Sequence, residues 1–275
     1  MLKRFHLNID PVGLSFSCLT YVFLLYAYYV LIGVVIIPLM NESIYGCLNG
    51  VLLTILIFLC IISHLKASLS NPGYVSILNN KYNDKPQISQ EGYTTCSKCE
   101  IYRTADSHHC GICRKCIKKR HHHCPWINNC IGELNQKYFI QFNFYTSILC
   151  IYGIIFLMTS LIIYPDEIQT SNRISPSARV YHSVFVIVEC IVFGLFVFAI
   201  MCEQITSITS SCVGQKSNHS ETRKSCFDNL GENLKLKYFQ FCQVFGQKNP
   251  ILWLFPFDFR SNSNFKFQGN NFFSV

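Results

Sequence analysis

Charge is scarce in this chain. Only 14% of its 275 residues are Asp, Glu, Lys or Arg, while 50% are hydrophobic. That balance excludes an ordinary soluble protein of this size and reads as a membrane protein. Acidic residues are scarcer than basic ones, 15 against 23, giving a formal net charge of +8. The basic residues are spread along the edges of apolar stretches and form no single patch. That spread argues against nucleic acid as a partner and for contact with anionic lipid at the membrane surface. No internal repeat is evident, and no ankyrin-like extension fits in this length. Lys3 and Arg4 precede an apolar run too long for a signal-peptide core and without a clear small-residue cleavage site, so the run is expected to be retained as a span.

Leu14 to Met40 and Tyr138 to Tyr164 hold no charge at all, and each exceeds the roughly 20 residues a helix needs to cross the hydrocarbon core. Cys47 to Leu65 is shorter but almost uniformly apolar, and Val180 to Cys202 is apolar apart from His182 and Glu189. Four spans place both termini on one side. Of the 23 Lys and Arg, only Arg173 and Arg179 fall in the two links on the other side, which by the positive-inside bias assigns the termini and the long middle segment to the cytosol. The expected layout is a cytosolic N-terminus at 1–13, spans 1 and 2 within 14–65, a cytosolic cysteine-rich domain at 66–137, spans 3 and 4 within 138–203, and a cytosolic tail at 204–275. The fold class is mainly α: a four-span helical bundle with a small cysteine-rich domain between spans 2 and 3.

Against this background one segment is dense in chemistry. Cys96 to Cys130 packs seven of the 16 cysteines and five of the nine histidines. A reducing cytosol disfavours disulfides there and favours thiolate coordination of zinc. The spacings Cys96-x2-Cys99 and Cys110-x2-Cys113-x2-Cys116 suit a tetrahedral ion, because a tight turn brings two sulfurs onto one metal. Two closed sites need eight ligands, which seven cysteines cannot supply without histidine. If one cysteine is withheld for chemistry, six Cys and two His complete two Cys3His sites. Cys124 is the one to withhold: it follows His121-His122-His123 and precedes Pro125-Trp126, a pair that bends the chain and anchors it at an interface.

These residues resemble the Asp-His-His-Cys (DHHC) family of membrane protein S-acyltransferases, the palmitoyltransferases. The match runs without a gap from Cys96 through Phe142 and takes in Ser107-His108-His109-Cys110, Cys113, Cys116, His122-His123-Cys124-Pro125-Trp126, Asn129-Cys130, Gly132, Asn135 and Phe139. Asn71-Pro72-Gly73 after span 2, with Asn in place of the usual Asp, and Val244-Phe245-Gly246, Trp253 and Pro256-Phe257 near the end extend it. The resemblance implies one structural zinc on Cys96, Cys99, His109 and Cys116 and a second on Cys110, Cys113, His123 and Cys130. Each site would sum to about −1 with its thiols ionised, lowering the formal +8 to about +6.

It also implies a function: transfer of a long fatty acyl group, palmitoyl, from acyl-CoA as co-substrate to cytosolic cysteines of membrane-associated proteins. Cys124 would take the acyl chain first as a thioester, and His122 would be the general base that ionises it. Phe139, Phe142 and Phe144 are candidates to line a pocket for the tail, beside the plainer role of helix packing. Lys118, Lys119 and Arg120 are candidates to attract CoA phosphates or lipid headgroups. The expected location is a multi-pass place in an endomembrane, Golgi or ER, or in the plasma membrane.

The main departure from the family is His121, where an Asp precedes the two histidines. Such an acid orients the base and stabilises its protonated form, and His121 supplies no negative charge. The family's Thr-Thr-x-Glu motif after span 4 also has no clear match in Gln204 to Gln215. A rebuilt network, with Thr206 or Thr209 near His121, is the expectation. The rival readings are a catalytically weak or dead zinc-bearing adaptor of the same fold and, from another class, a RING-type ligase, whose ligand spacings differ.

Weaker signals are read plainly. Glu189 and His182 are expected on one face of span 4, Glu189 buried, protonated and hydrogen-bonded. His108 is a packing residue, and His6, His64 and His219 join no constellation. Cys60, Cys150 and Cys190 are buried apolar residues, and Cys202, Cys212, Cys226 and Cys242 are candidates for acylation. Asn41 heads a glycosylation acceptor too close to the membrane to be used, and the stretch from Ser261 to Val275 has no helical period.

Overall fold

The computed structural model describes residues 10–40, 42–75, 93–164, 175–210, 230–246 and 249–257. Asn41, Cys212, Cys226, His6, His219, Arg173 and the stretch from Ser261 onward lie outside the described residues.

Four helices cover Pro11–Met40, Ile44–Leu69, Gln136–Ile163 and Pro176–Thr209, the shortest of them 26 residues. At 1.5 Å per residue that is about 39 Å, more than the ~30 Å of hydrocarbon to be crossed. Each helix is called a span below, in chain order. All four run past the apolar stretches that announce them, for local reasons. Asp10 caps span 1 by accepting from Gly13 N at 2.9 Å, with Pro11 in the first turn. Ser43 caps span 2 by accepting from Gly46 N at 2.9 Å. Span 2 continues past Leu65 because Lys66 extends over the rings of Tyr138 and Phe257, at 5.3 and 4.9 Å. Arg179, read from sequence as loop, lies in the first turn of span 4 and is almost fully buried. Its Nη2 donates to Tyr164 O at 2.6 Å, taking up a carbonyl at the end of span 3.

Span 3 packs along spans 2 and 4, and span 1 closes the bundle. Residues Tyr29–Ile36 of span 1 form a π-helical stretch, and there Val30, Leu31, Val34 and Val35 are nearly fully buried against Leu53, Ile57, Leu149 and Leu157. The opposite faces expose Leu52, Phe58, Ile151, Ile155, Val192, Leu195 and Phe198. An apolar exterior on every helix is what a lipid surround requires. Cys60, Cys150 and Cys190 are buried among the spans, while Cys202 is exposed.

The segment between spans 2 and 3 folds at one end of the bundle as three two-stranded antiparallel ribbons: β1 (Tyr93–Cys96) with β2 (Ile101–Thr104), β3 (Ser107–Cys110) with β4 (Lys115–Lys118), and β5 (His123–Cys124) with β6 (Asn129–Cys130). Ribbons this small hold few apolar contacts of their own. Two asparagines fasten them to the membrane helix. Asn129 Nδ2 donates to the carbonyls of Ala67, Ser68 and Ser70 at 3.1, 2.9 and 2.9 Å. Asn135 Nδ2 donates to Ala67 O at 3.0 Å and Cys130 O at 2.8 Å, while its Oδ1 accepts from Gly132 N at 2.9 Å. The last carbonyls of span 2 are thus satisfied by the module itself. At Gly132 a Cβ would stand 2.4 Å from Pro72 O and 2.7 Å from Ile117 Cγ2, so only glycine fits. The Asn71-Pro72-Gly73 turn holds this corner: Asn71 Oδ1 accepts from Gly73 N at 2.8 Å and Tyr74 N at 2.9 Å, with Gly73 at φ +111°.

Helix Leu230–Phe245 and the turn Pro250–Leu254 lie against the start of span 3. Trp253 stacks on Phe245 at 5.1 Å. Gln141 Nε2 donates to Trp253 O and Phe255 O, and Lys137 Nζ to Phe257 O at 2.8 Å. Tyr145 reaches Leu254 O in the same way. The aromatic pattern read near the end of the sequence is therefore a docking segment for span 3.

Candidate functional site

The three ribbons bring together the eight residues expected to bind metal, in two groups. Cys96, Cys99, His109 and Cys116 form one and Cys110, Cys113, His123 and Cys130 the other, with all donor atoms of a group within 4.8 Å of one another. The interleaving follows from strand geometry. Successive side chains of β3 point to opposite faces, so His109 and Cys110 enter different groups. Each group also holds one cross-strand pair, His109 opposite Cys116 and His123 opposite Cys130. Each Cys-x2-Cys turn ends in a left-handed residue, Glu100 at φ 53° and Arg114 at φ 52°, which curls the chain so that both sulfurs face inward.

The donor distances fit a tetrahedral ion. Cys113 Sγ is 3.6 Å from Cys130 Sγ, far beyond a disulfide's ~2.05 Å and near the ~3.8 Å edge of a tetrahedron built on ~2.3 Å zinc–sulfur bonds. His123 Nδ1 lies 3.8, 3.4 and 3.6 Å from the sulfurs of Cys110, Cys113 and Cys130. In the first group His109 Nδ1 is 3.8 and 3.1 Å from Cys96 and Cys99. Three thiols and one imidazole make a soft, closed set of the kind that holds structural zinc. Arg120 lies against the thiols of Cys110 and Cys130, and Lys119 pairs with Glu133 at 3.0 Å. Of the basic triplet, Lys118 and Lys119 are exposed and Arg120 faces inward.

Cys124 leaves β5 and enters the one-turn 3-10 helix Pro125–Ile127. Its side chain is 3% exposed and makes no capping hydrogen bond to that turn, although the N–H groups of Ile127 and Trp126 act on it electrostatically. Burial pushes the thiol up to about 11, against those two amides. His121 and His122 are held by backbone pairing to Ile131: His121 N donates to Ile131 O and Ile131 N donates to His122 O, both at 2.9 Å. The His122 ring sits edge-on to Phe139, 6.1 Å between centroids. Burial lowers both imidazoles. At His122 the carboxylate of Glu203 opposes that shift while Arg120 adds to it; at His121 the neighbouring His122 adds to it and a hydrogen bond with Gln136 opposes it.

The expected partners of His121 are not the ones found. Ser207 Oγ, from span 4, lies 3.4 Å from His121 Nδ1. Thr209 is turned back onto the carbonyls of Ile205 and Thr206 in its own helix, and Thr206 is exposed. Gln136, which also touches His121, bonds to Gln204 Oε1 at 3.3 Å. Around His121 stand a hydroxyl and an amide, with the carboxylate of Glu203 within electrostatic reach.

From Cys124 a cavity runs into the bundle. Its walls include Thr20 to Leu31 of span 1, Phe139 to Cys150 of span 3 and Ile200 to Glu189 of span 4. Each wall covers twelve helical positions, about 16 Å of depth from first to last. Phe139 and Phe142 line it, whereas Phe144 is turned outward onto Tyr145 and the bundle surface. Glu189 faces the cavity with an Oε2 that has no hydrogen-bond partner among the described residues, unlike the hydrogen-bonded carboxyl expected from sequence. His182 bonds instead to Tyr26 Oη through Nδ1 at 2.8 Å. His64, which no sequence pattern marked, is wholly buried between spans 1 and 2 and reaches the backbone beside Cys124. The available signal was its place within an apolar span, where a polar side chain faces the interior.

Four apolar crossing helices with a two-group Cys/His module at one end define a multi-pass membrane protein of the zinc-binding, cysteine-rich type. Within that class, the model of the DHHC palmitoyltransferase family matches residues 89–221. The chain is 30% identical over 252 residues to palmitoyltransferase ZDHHC7 of Rattus norvegicus, covering 90% of this chain and 79% of that protein. It is 29% identical over 252 residues to palmitoyltransferase ZDHHC3 of Homo sapiens, covering 90% of this chain and 82% of that protein. Probable protein S-acyltransferase 12 of Arabidopsis thaliana is 33% identical over 174 residues, 63% of this chain and 56% of that protein. The chain belongs to the DHHC palmitoyltransferase family, with His-His-His-Cys at the motif that names it.

Proposed function

We propose that this protein moves a long fatty acyl group, palmitoyl, from acyl-CoA to cysteine thiols of membrane-associated proteins through a thioester on Cys124. The observation that carries the reading is a buried thiol lining one end of a deep apolar cavity, with His122, two residues away in the chain, packed on Phe139 of the same cavity. A thiol held up to about 11 is mostly protonated at neutral pH. His122 takes the proton from Cys124 Sγ as sulfur attacks the acyl carbonyl. The carbon–sulfur bond to CoA breaks and CoA leaves as a thiol, with the proton returned from His122. The second half runs in reverse: His122 takes the proton of the incoming protein thiol, whose sulfur displaces Cys124. The alkyl tail lies in the cavity throughout, with Phe139 and Phe142 along it. The Trp126 and Ile127 amides act in the direction that favours negative charge on the sulfur.

Cys96, Cys99, His109 and Cys116 hold one zinc in this reading and Cys110, Cys113, His123 and Cys130 the other. A closed four-ligand zinc supplies structure and leaves no coordination position for substrate. The basic residues on the module side support a cytosolic location for that side and for both termini. The expected order of segments 1–13, 14–65, 66–137, 138–203 and 204–275 is kept, with the spans extended to the helix ends Pro11–Met40, Ile44–Leu69, Gln136–Ile163 and Pro176–Thr209. The membrane is of the Golgi, ER or plasma membrane type.

The deciding experiment incubates the purified, zinc-loaded protein with labelled palmitoyl-CoA. A label on Cys124 that hydroxylamine removes is expected. A folded, metal-loaded protein that never takes the label would establish the adaptor reading, which His121 in place of an acid favours.

A further inference from the structure

We propose that His64 is a positioning residue for the nucleophile, acting through a single peptide unit. Its ring bridges span 1 to the turn that carries Cys124. Nε2 is 2.9 Å from Trp126 O and Nδ1 is 2.7 Å from Tyr21 Oη. The roles of the two nitrogens follow from the partners. A carbonyl oxygen only accepts, so Nε2 carries the proton and donates to Trp126; Nδ1 then accepts from the Tyr21 hydroxyl. Every polar atom of this wholly buried side chain is satisfied. The ring is wedged in place by Tyr21 edge-on at 4.9 Å and Phe142 edge-on at 5.0 Å.

The acceptor is the informative part. Trp126 C=O and Ile127 N–H are the two ends of one planar peptide unit, which lies in the one-turn helix that Cys124 opens, and Ile127 packs with Cys124 in one buried cluster. A hydrogen bond accepted by the carbonyl draws electron density along the unit and strengthens its N–H as a donor. The path therefore runs from Tyr21 O–H to His64 and on to the Trp126–Ile127 peptide of the turn that carries the sulfur. It holds the turn from the membrane side, while the hydrogen bond from Asn128 N to Pro125 O at 3.0 Å and the pairing of Cys124 with Asn129 close it from within. The Trp126 ring is packed by Phe16 at 4.9 Å and Phe193 at 5.7 Å. The inference rests on Cys124 being the acyl acceptor.

The test uses full-length protein with Tyr21→Phe, His64→Gln and His64→Leu. Three readouts are taken at one fixed pH: the single-turnover rate of Cys124 acylation from palmitoyl-CoA, the KM for palmitoyl-CoA, and the rate of Cys124 alkylation by iodoacetamide. Losing a buried hydrogen bond of this kind corresponds to about a tenfold change in rate or more. His64→Leu is expected to slow acylation and alkylation at least about tenfold with KM unchanged, and Tyr21→Phe to slow them about two- to threefold. His64→Gln, whose amide N–H still reaches the carbonyl, restores most of the loss. The inference is overturned if acylation and alkylation in His64→Leu match wild type. It is overturned equally if His64→Gln is as slow as His64→Leu, or if the rates follow thermal stability across the three variants. Alkylation keeps the two questions apart: a wild-type protein without a thioester ends the acyl-transfer reading, while alkylation still reports whether His64 acts on Cys124.

Discussion

At Cys124 two requirements oppose each other. In the proposed chemistry the sulfur meets the acyl chain in the cavity it lines, and burial there suppresses the thiolate, pushing the thiol up to about 11. The histidine beside it resolves that conflict in the proposed chemistry. Cys124→Ala is expected to abolish the hydroxylamine-labile label while metal analysis still finds two zinc ions per chain. His122→Ala is expected to slow acylation by about 10²-fold or more, the usual weight of a general base, with zinc content unchanged. For His121, replacement by Ala removes the contacts to Ser207 and Gln136, and a loss of about tenfold in the acylation rate is expected. Ser207→Ala, which removes one of those contacts, should give a smaller loss; equal activity in both variants would remove His121 from the mechanism. The count of eight ligands with Cys124 left over was readable from the sequence, while which two histidines join them and how the sets interleave was implied by the resemblance to the family; strand alternation puts His109 and Cys110 in different groups. The partner of His121 was not. Thr206, Ser207 and Thr209 differ by a helical rotation of about 100° per residue, and composition alone does not say which faces inward.

The joint between membrane and module is made by elements that are each too short to stand alone. The carbonyls at the end of span 2 are taken by Asn129 and Asn135, and Gly132 lets Pro72 and Ile117 close around it. Asn129→Ala strips donors from three carbonyls, so a loss of about 1–3 kcal/mol is expected, read as a lower melting temperature in detergent. Gly132→Ala forces a methyl group against backbone and should cost a similar ~1–3 kcal/mol. The spans themselves were legible because uncharged runs longer than about 20 residues admit few other readings. Their ends were less so. Lys66 and Arg179, which charge counting places outside the membrane, extend helices by pairing with rings or with a carbonyl. The docking of Trp253 and Phe257 on span 3 depends on backbone carbonyls meeting Gln141 and Lys137, and no residue pattern carries that information.

Taken whole, the molecule joins two kinds of stability. The bundle is held by apolar packing, the module by its side-chain clusters, and the two meet at Cys124. Chelation of zinc is therefore expected to abolish acylation and expose the six cysteine ligands to alkylating reagents, while circular dichroism retains the helical signal of the four spans. Structural zinc in small domains contributes about 10–16 kcal/mol to folding, more than ribbons of two to four residues replace by packing. Retention of acylation after complete zinc removal would contradict the structural role assigned to both groups.

The depth of Cys124 also bears on time. A thioester exposed to solvent is lost steadily to hydrolysis, but a sulfur 3% exposed and flanked by Trp126 and Phe139 leaves little room for water. A loaded enzyme of this shape would persist between encounters, as a reservoir charged in advance. The pace of protein acylation would then be set by how often a suitable cysteine arrives at the membrane surface, and much less by how fast acyl-CoA is supplied.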